Sequence, residues 1–101
     1  YAFPVTTITG TVRRELLTIP EVIGVKIALG DHRSSFPTEQ DILHLLSDIR
    51  VGGMISGKTG FLHVHLGDLG NTAYDIIDAR HTVPVKTSPG SGRLRLPAAA
   101  A

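Results

Sequence analysis

Residues 60–68 read Gly-Phe-Leu-His-Val-His-Leu-Gly-Asp, an alternating segment around which the rest of the chain can be interpreted. Side chains alternate faces along a β-strand, so Phe61, His63 and His65 share one face and aliphatic side chains occupy the other. Neutral imidazole is the commonest side-chain metal ligand, and the final Gly-Asp would end the strand where the active site of a parallel sheet opens. Two histidines that hydrogen-bond inside a core or at a sheet edge would produce the same spacing. This segment alone therefore leaves both interpretations open.

A second strand is predicted over residues 22–29, Val-Ile-Gly-Val-Lys-Ile-Ala-Leu, which are apolar on both faces except at Lys26. Such a run is typical of a strand that is buried on both sides in a parallel sheet. One face carries bulky aliphatic residues, beginning with Ile23, that we expect to pack against helices. A buried ammonium is costly unless it is paired, neutralised or chemically altered, so we predict a functional role for Lys26. The alternative is a lysine whose stem lies on apolar surface while its head reaches water.

Helical spacing appears first in the amino-terminal part of the chain. Val12, Leu16 and Ile19 predict a helix from Thr11 to Ile19, and Pro20 would end it.

The clearest helix follows Pro37, with Thr38 as its N-cap and carboxylates in its first turn. We expect Gly52-Gly53 to weaken this helix before a glycine-rich turn leads into the histidine strand. That turn contains Gly57-Lys58-Thr59, which is similar to part of a phosphate-binding loop. The phosphate motif follows a strand and opens a helix, whereas this one precedes a strand, so we reject that interpretation. The predicted buried stripe of the helix consists of Ile42, Leu45, Leu46 and Ile49.

The remaining elements complete an alternating order. A short strand is predicted over Thr6–Gly10, a third helix from Asn71 to Arg80 and a further strand from Val83 to Val85. Strands that alternate with helices at this spacing indicate an α/β fold with a parallel sheet. From Thr87 onward the chain has no usable periodicity. We predict a domain over residues 1–86 and a low-complexity tail over residues 87–101, either disordered or produced by a frame shift.

The composition excludes several classes of function. The chain has 101 residues, is 42% hydrophobic and carries a formal net charge of +1, which suits one domain without a nucleic-acid partner. Because there is no cysteine, any metal would need histidine, carboxylate or a modified lysine. The apolar runs are too short to span a bilayer, so we expect no membrane partner and a cytoplasmic location.

Several motifs together resemble the isoaspartyl (β-aspartyl) dipeptidases. They are Thr-Ile-Thr-Gly at 7–10, Val-Ile-Gly-Val-Lys at 22–26, Asp-His-Arg-Ser at 31–34, Arg-Val-Gly-Gly at 50–53, Gly-Lys-Thr-Gly at 57–60 and His-Val-His-Leu-Gly-Asp at 63–68. The matches follow one another at matching spacing from Tyr1 to about Lys86. The resemblance implies the amidohydrolase superfamily and a (β/α)8 TIM barrel, of which this chain would contain roughly strands four and five with part of six.

The resemblance also implies roles for particular residues. Lys26 matches a lysine that is carboxylated by carbon dioxide and bridges two zinc ions, and His65 matches a zinc ligand. Tyr1 matches a tyrosine that polarises the scissile carbonyl and stabilises the developing oxyanion. Arg33 matches an arginine that binds the α-carboxylate of the substrate, a task suited to a planar fork of donors. His63 is expected to have no metal-ligand role.

The chain departs from the family pattern near its end. The next strand of the family should end in Pro-Thr-His-x-x-Arg, whereas residues 88–93 read Ser-Pro-Gly-Ser-Gly-Arg and contain no histidine. The first-strand His-x-His, the glutamate that contacts the substrate amine and the last-strand aspartate that acts as general base are also absent. We therefore predict a fragment of a binuclear zinc dipeptidase that hydrolyses β-aspartyl dipeptides by metal-hydroxide attack, with a homo-oligomeric parent. We expect the isolated chain to be marginally stable, prone to aggregation through open strand edges, and inactive.

Two other functions stay open from the residues. One keeps the superfamily but changes the substrate to a cyclic amide, as in dihydroorotase-like enzymes. The other is a truncated, non-catalytic α/β module that binds a partner through an open sheet edge and does not depend on zinc.

Overall fold

The computed structural model describes residues 4–29, 37–67, 73–75, 83–90 and 93–95, which form two helices and two parallel sheets. The larger sheet has the strand order β1-β2-β4, and β3 pairs with β5 in the second sheet. All the strand pairs are parallel. The predicted α/β fold is thus confirmed, and the larger sheet is consistent with part of a TIM barrel. In chain order the elements are α1 (Val12–Thr18), β1 (Gly24–Ala28), α2 (Glu39–Ser56), β2 (Phe61–Gly67), β3 (Ala73–Asp75), β4 (Val85–Gly90) and β5 (Arg93–Arg95).

The first helix forms where its spacing predicts it. The Thr11 side chain caps α1 by accepting a hydrogen bond from the Arg14 N–H at 3.0 Å, which satisfies one of the donors that a helix start leaves unpaired. Val12 and Leu16 are buried, and α1 ends just before Ile19, so the prediction for this segment is confirmed.

The second helix has well-defined signals at both ends. The Thr38 hydroxyl accepts the Asp41 N–H at 3.1 Å, and the Asp41 carboxylate accepts the Thr38 N–H at 2.8 Å, forming a reciprocal capping box. At the other end Gly57 adopts a left-handed conformation with φ of 73°, which glycine tolerates because it has no Cβ. The predicted N-cap is therefore confirmed. Within the described part of the chain, neither helix has the length and apolar character needed to cross a membrane.

The core lies between the two helices and one face of the larger sheet. The predicted stripe of α2 is buried, as are the aliphatic residues of β1 and β2 that alternate toward the helices. Ile23 was expected to pack against helices, but it is 54% exposed because β1 begins only at the next residue. The largest fully buried side chains are Leu16, Ile27, Leu29, Ile42, Ile49, Leu62 and Val64.

Gly52 and Gly53, in the last third of α2, do not end the helix, which continues to Ser56. A Cβ at Gly52 would lie 2.9 Å from Leu16 Cδ1 and 3.2 Å from the Cα of Arg13. A Cβ at Gly53 would lie 3.0 Å from the carbonyl oxygen of Lys58. The expected weakening of the helix is therefore accompanied by a packing role, because these glycines allow α1 and the following turn to approach the backbone of α2.

The strand predicted over Thr6–Gly10 does not form. The Glu15 carboxylate, on α1, accepts the Ile8 N–H at 2.8 Å and the Thr9 hydroxyl at 2.9 Å. These bonds hold the segment in a series of bends beside the helix, so its β-prone composition is overridden by a local side-chain contact.

Two further predictions about the carboxyl-terminal part differ from the structure. Residues 73–75 of the predicted third helix form β3, since a few apolar positions cannot distinguish a short helix from a strand. Residues 87–90 and 93–95, predicted to be irregular, lie in β4 and β5. Parallel pairing uses backbone groups and needs no side-chain periodicity. The domain boundary after Lys86 stays a prediction.

Candidate functional site

The candidate site is the face of the larger sheet that lies opposite the helices. We call it the polar sheet face and define it by Lys26 on β1, His63 and His65 on β2, and Lys86 on β4. The strand register pairs Lys26 with His63 and His63 with Lys86, and residues paired in register share a face of the sheet. His65 lies one tier further along, paired with Ala28. Three strands therefore bring two lysines and two imidazoles to one face.

An aromatic ring closes the amino-terminal end of this face. Phe61 is paired with Gly24 and shares the face of the histidines. A Cβ at Gly24 would lie 2.7 Å from two carbon atoms of the Phe61 ring, so only glycine leaves room for the ring there. The polar side chains thus lie between this apolar end and the carboxyl-terminal ends of the strands, where parallel-sheet enzymes place their chemistry.

The imidazole of His63 lies between the two lysines. Its pKa is lowered from the ordinary value, first by burial and then by the positive charges of Lys26 and Lys86, with a smaller effect of His65. Both causes disfavour a charged imidazole, so His63 is neutral at pH 7. The expectation that His63 has no metal-ligand role stays a prediction.

The prediction that Lys26 is buried is wrong for this chain, because its side chain is exposed. The aliphatic side chains of β1 that pack into the core lie on the opposite face of the strand, and Lys26 reaches water as the alternative interpretation proposed. The predicted burial of Lys26 therefore cannot support a functional role. The case for such a role depends on where Lys26 lies in the sheet. Lys26 and His65 occupy neighbouring strands on the same face, with Cα atoms about 8 Å apart by ordinary strand spacing.

Two predicted site residues cannot be placed beside this pair. Tyr1 and Arg33 both lie outside the described residues. The structure brings Lys26, His63 and His65 together, and the roles of Tyr1 and Arg33 stay predictions.

The described residues supply only part of a metal site. No cluster of three or more histidine, cysteine or carboxylate side chains suitable for a metal occurs among them. His65 would offer an imidazole nitrogen, and a carboxylated Lys26 would offer anionic oxygens. Nitrogen and oxygen donors of these types suit zinc. The donor types of these two residues are compatible with a shared zinc site, and zinc binding stays a prediction.

Two lysines have positions that the sequence did not predict. Lys58 Nζ donates to the carbonyl oxygens of Ile19 at 2.6 Å and Val22 at 2.8 Å, which ties the turn after α2 to the connection between α1 and β1. No local signal indicates this contact, because its partners lie 36 and 39 residues away along the chain. Lys86 could have been found by aligning the predicted Val83–Val85 strand with the histidine strand.

Comparison with known proteins gives a consistent result. No family model matches the chain. It is similar to two structures of a β-aspartyl dipeptidase from the thermophilic, keratin-degrading Fervidobacterium islandicum AW-1, one of them in complex with a β-Asp-Leu dipeptide. In each case the sequence identity is 53% and the TM-score 0.63. The match covers 66% of this chain but only 18% of the dipeptidase chain. The resemblance predicted from the sequence is confirmed, and the coverage is consistent with a fragment.

Proposed function

We propose that the chain supplies the central part of a zinc-dependent dipeptidase of the amidohydrolase superfamily that hydrolyses β-aspartyl peptide bonds. The observation that carries this proposal is the 53% identity to an enzyme whose structure holds a β-Asp-Leu dipeptide. The position of Lys26 and His65 on neighbouring parallel strands, on one face, supports it. Because the chain spans 18% of that enzyme, the activity belongs to the proposed whole protein.

The proposed roles follow from the chemistry of each side chain. Lys26, carboxylated on Nζ, and His65 would hold zinc, which when bound supplies a Lewis acid and a water of lowered pKa. Tyr1 would donate a hydrogen bond to the scissile carbonyl oxygen as negative charge develops there. Arg33 would bind the α-carboxylate of the substrate through two parallel hydrogen bonds and so fix its orientation.

The direct test is a chimera in which residues 1–86 of this chain, the part that carries the resemblance, replace the matching segment of the Fervidobacterium islandicum enzyme. We expect hydrolysis of β-Asp-Leu to be retained. Lys26→Ala and His65→Ala should each reduce kcat/KM by more than about a hundredfold, since loss of a ligand should exceed the cost of losing a residue that supports one. His63→Asn is the matched control on the same strand face, and we expect it to keep most of the activity.

The other outcomes of this experiment separate the rival functions. A chimera that hydrolyses a cyclic imide in preference to β-Asp-Leu would support a dihydroorotase-like enzyme. A chimera that folds but stays inactive with both substrates would contradict a catalytic role. For the 101-residue chain alone we expect no hydrolysis, because the two proposed zinc ligands that it supplies are too few to hold a binuclear zinc site. A non-catalytic module would show circular dichroism and thermal stability that zinc does not change.

A further inference from the structure

Lys86 lies on the polar sheet face but has no part in the proposed site. It occupies the register position next to His63, which in turn is paired with Lys26. We call Lys26, His63 and Lys86 the basic row, since they lie side by side on three neighbouring parallel strands. The chain has three lysines, and two of them are in this row. The third, Lys58, donates to two backbone carbonyl groups elsewhere.

The basic row places like charges on both sides of a half-buried imidazole. Lys26 and Lys86 lie two strands apart on this face, and like charges near each other on one face of a sheet are unfavourable. Both lysines are exposed, so water and salt screen their repulsion and the arrangement is tolerated. A negative charge at one end of the row would convert this repulsion into attraction.

We propose that Lys86 is a positioning residue that provides the counter-charge for a carbamate on Lys26, two strands away on the same face of the sheet. This inference rests on the proposed function, in which Lys26 is carboxylated. In that step the Lys26 amine nitrogen bonds to the carbon of carbon dioxide, one C=O π pair moves to oxygen, and an amine proton leaves to the buffer. One end of the basic row becomes anionic while the other stays cationic.

The spacing of the row permits this interaction. Neighbouring strands are about 4.8 Å apart, so the backbones of Lys26 and Lys86 are separated by about 10 Å. Two extended side chains on the same face can approach each other above His63. His65 lies in the next tier, paired with Ala28, and is outside the row.

The experiment measures carbamate formation directly and needs neither zinc nor activity. The 101-residue chain is equilibrated with 13C-labelled bicarbonate at fixed alkaline pH, together with Nα-acetyl-lysine as the reference in the same tube. The carbamate carbon is observed by NMR, and Lys26→Arg identifies the signal that belongs to Lys26. We expect the Lys26 carbamate to exceed the reference. Lys86→Met should lower it about threefold, the effect of an ammonium nearby in partly screened surroundings.

Two matched variants separate position from net charge. Lys86→Arg keeps the cation and should keep the carbamate signal. The double variant Lys86→Met with Thr87→Lys returns the ammonium to the adjacent residue, on the opposite face of β4, and should not restore the signal. Because Lys86 and Thr87 are both exposed, these changes should leave the fold intact, which the amide spectrum of each variant checks. If Lys86→Met perturbs the core resonances, Lys86→Gln takes its place.

The outcomes distinguish this inference from the proposed function. A Lys26 carbamate that is unaffected by Lys86→Met, or restored by Thr87→Lys, would overturn the role of Lys86 while leaving the carboxylated lysine intact. If the wild-type chain shows no more carbamate at Lys26 than the reference, the role of Lys86 is refuted. The chimera then decides the hydrolytic function independently.

Discussion

The two faces of the β1-β2-β4 sheet differ in how deeply their side chains are buried in the described part of the chain. The face toward the helices is filled by residues of the chain itself, with Ile27, Leu62 and Val64 fully buried. On the polar sheet face both lysines are exposed to water. Stability should therefore depend on the first face and chemistry on the second. The following experiments compare them.

The largest contrast is expected between two neighbouring residues of β1. Ile27 is fully buried and faces the helices, whereas Lys26 is exposed on the polar sheet face. Ile27→Ala should lower the free energy of unfolding by about 2–5 kcal/mol, because it removes buried methylene groups and leaves a cavity. Lys26→Ala should change it by less than about 0.5 kcal/mol. Urea denaturation measures both, and equal losses would show that the polar sheet face also contributes to the core.

The close approach of the two helices gives the next effect. Gly52→Val would place side-chain atoms where Leu16 Cδ1 lies only 2.9 Å from an ideal Cβ, with the Cα of Arg13 at 3.2 Å. Because the backbone of α1 cannot move without disturbing the core, we expect a loss of about 1–3 kcal/mol. Gly57→Asn is the control, since nothing lies within 4 Å of its Cβ position and asparagine tolerates a left-handed backbone. If Gly52→Val is tolerated as well as the control, the helices do not pack as described.

Lys58, in the turn after α2, and Lys86, on the polar sheet face, should differ in a smaller but measurable way. Lys58→Met removes two charged hydrogen bonds to the carbonyl groups of Ile19 and Val22 and should cost about 1–2 kcal/mol. Lys86→Met, an identical change on the polar sheet face, should have almost no effect on stability. Thermal unfolding of both variants tests this, and a destabilising Lys86→Met would contradict the exposure of that side chain.

The smallest effect concerns pH and the segment before α1. The backbone N–H of Ile8 is the main cause that lowers the pKa of Glu15, followed by burial, which opposes it, and by hydrogen bonds from Thr9. Since the folded pKa lies below the unfolded one, Glu15 contributes stability above the unfolded pKa and loses it as the pH falls through the folded pKa. Glu15→Gln should therefore lower Tm near neutral pH, and the difference from the wild type should disappear in acid. A difference in Tm that does not depend on pH would refute this role of the carboxylate.

Helix caps and hydrophobic periodicity in the sequence predicted both helices that pack against the sheet. The spacing of Val12 and Leu16 located α1, and Thr38 located the start of α2, because caps and helical periodicity depend on residues close together in the chain. Signals of the same kind failed for residues 6–10 and 73–75, where a contact from Glu15 and a parallel strand partner override weak propensities. Propensity is a weak guide wherever a distant or side-chain partner can satisfy the backbone.

The polar sheet face could be predicted only in part. Alternation places His63 and His65 on one face, and the motifs around Lys26 and His65 led to the dipeptidase resemblance. The burial of Lys26 was inferred from its apolar neighbours, and it was wrong because burial depends on what covers the sheet rather than on the strand itself.

The amino-acid sequence alone determined the strand and helix patterns, the alternation of faces and the motifs that carry the resemblance, since each arises between residues near one another in the chain. The tertiary structure decided the register that aligns Lys26, His63 and Lys86, the anchoring of Lys58 on distant carbonyl groups and the need for glycine at residue 52. These depend on the meeting of segments tens of residues apart, which no local pattern encodes. Side-chain periodicity determines which residues share a face, whereas strand pairing determines which of them become neighbours.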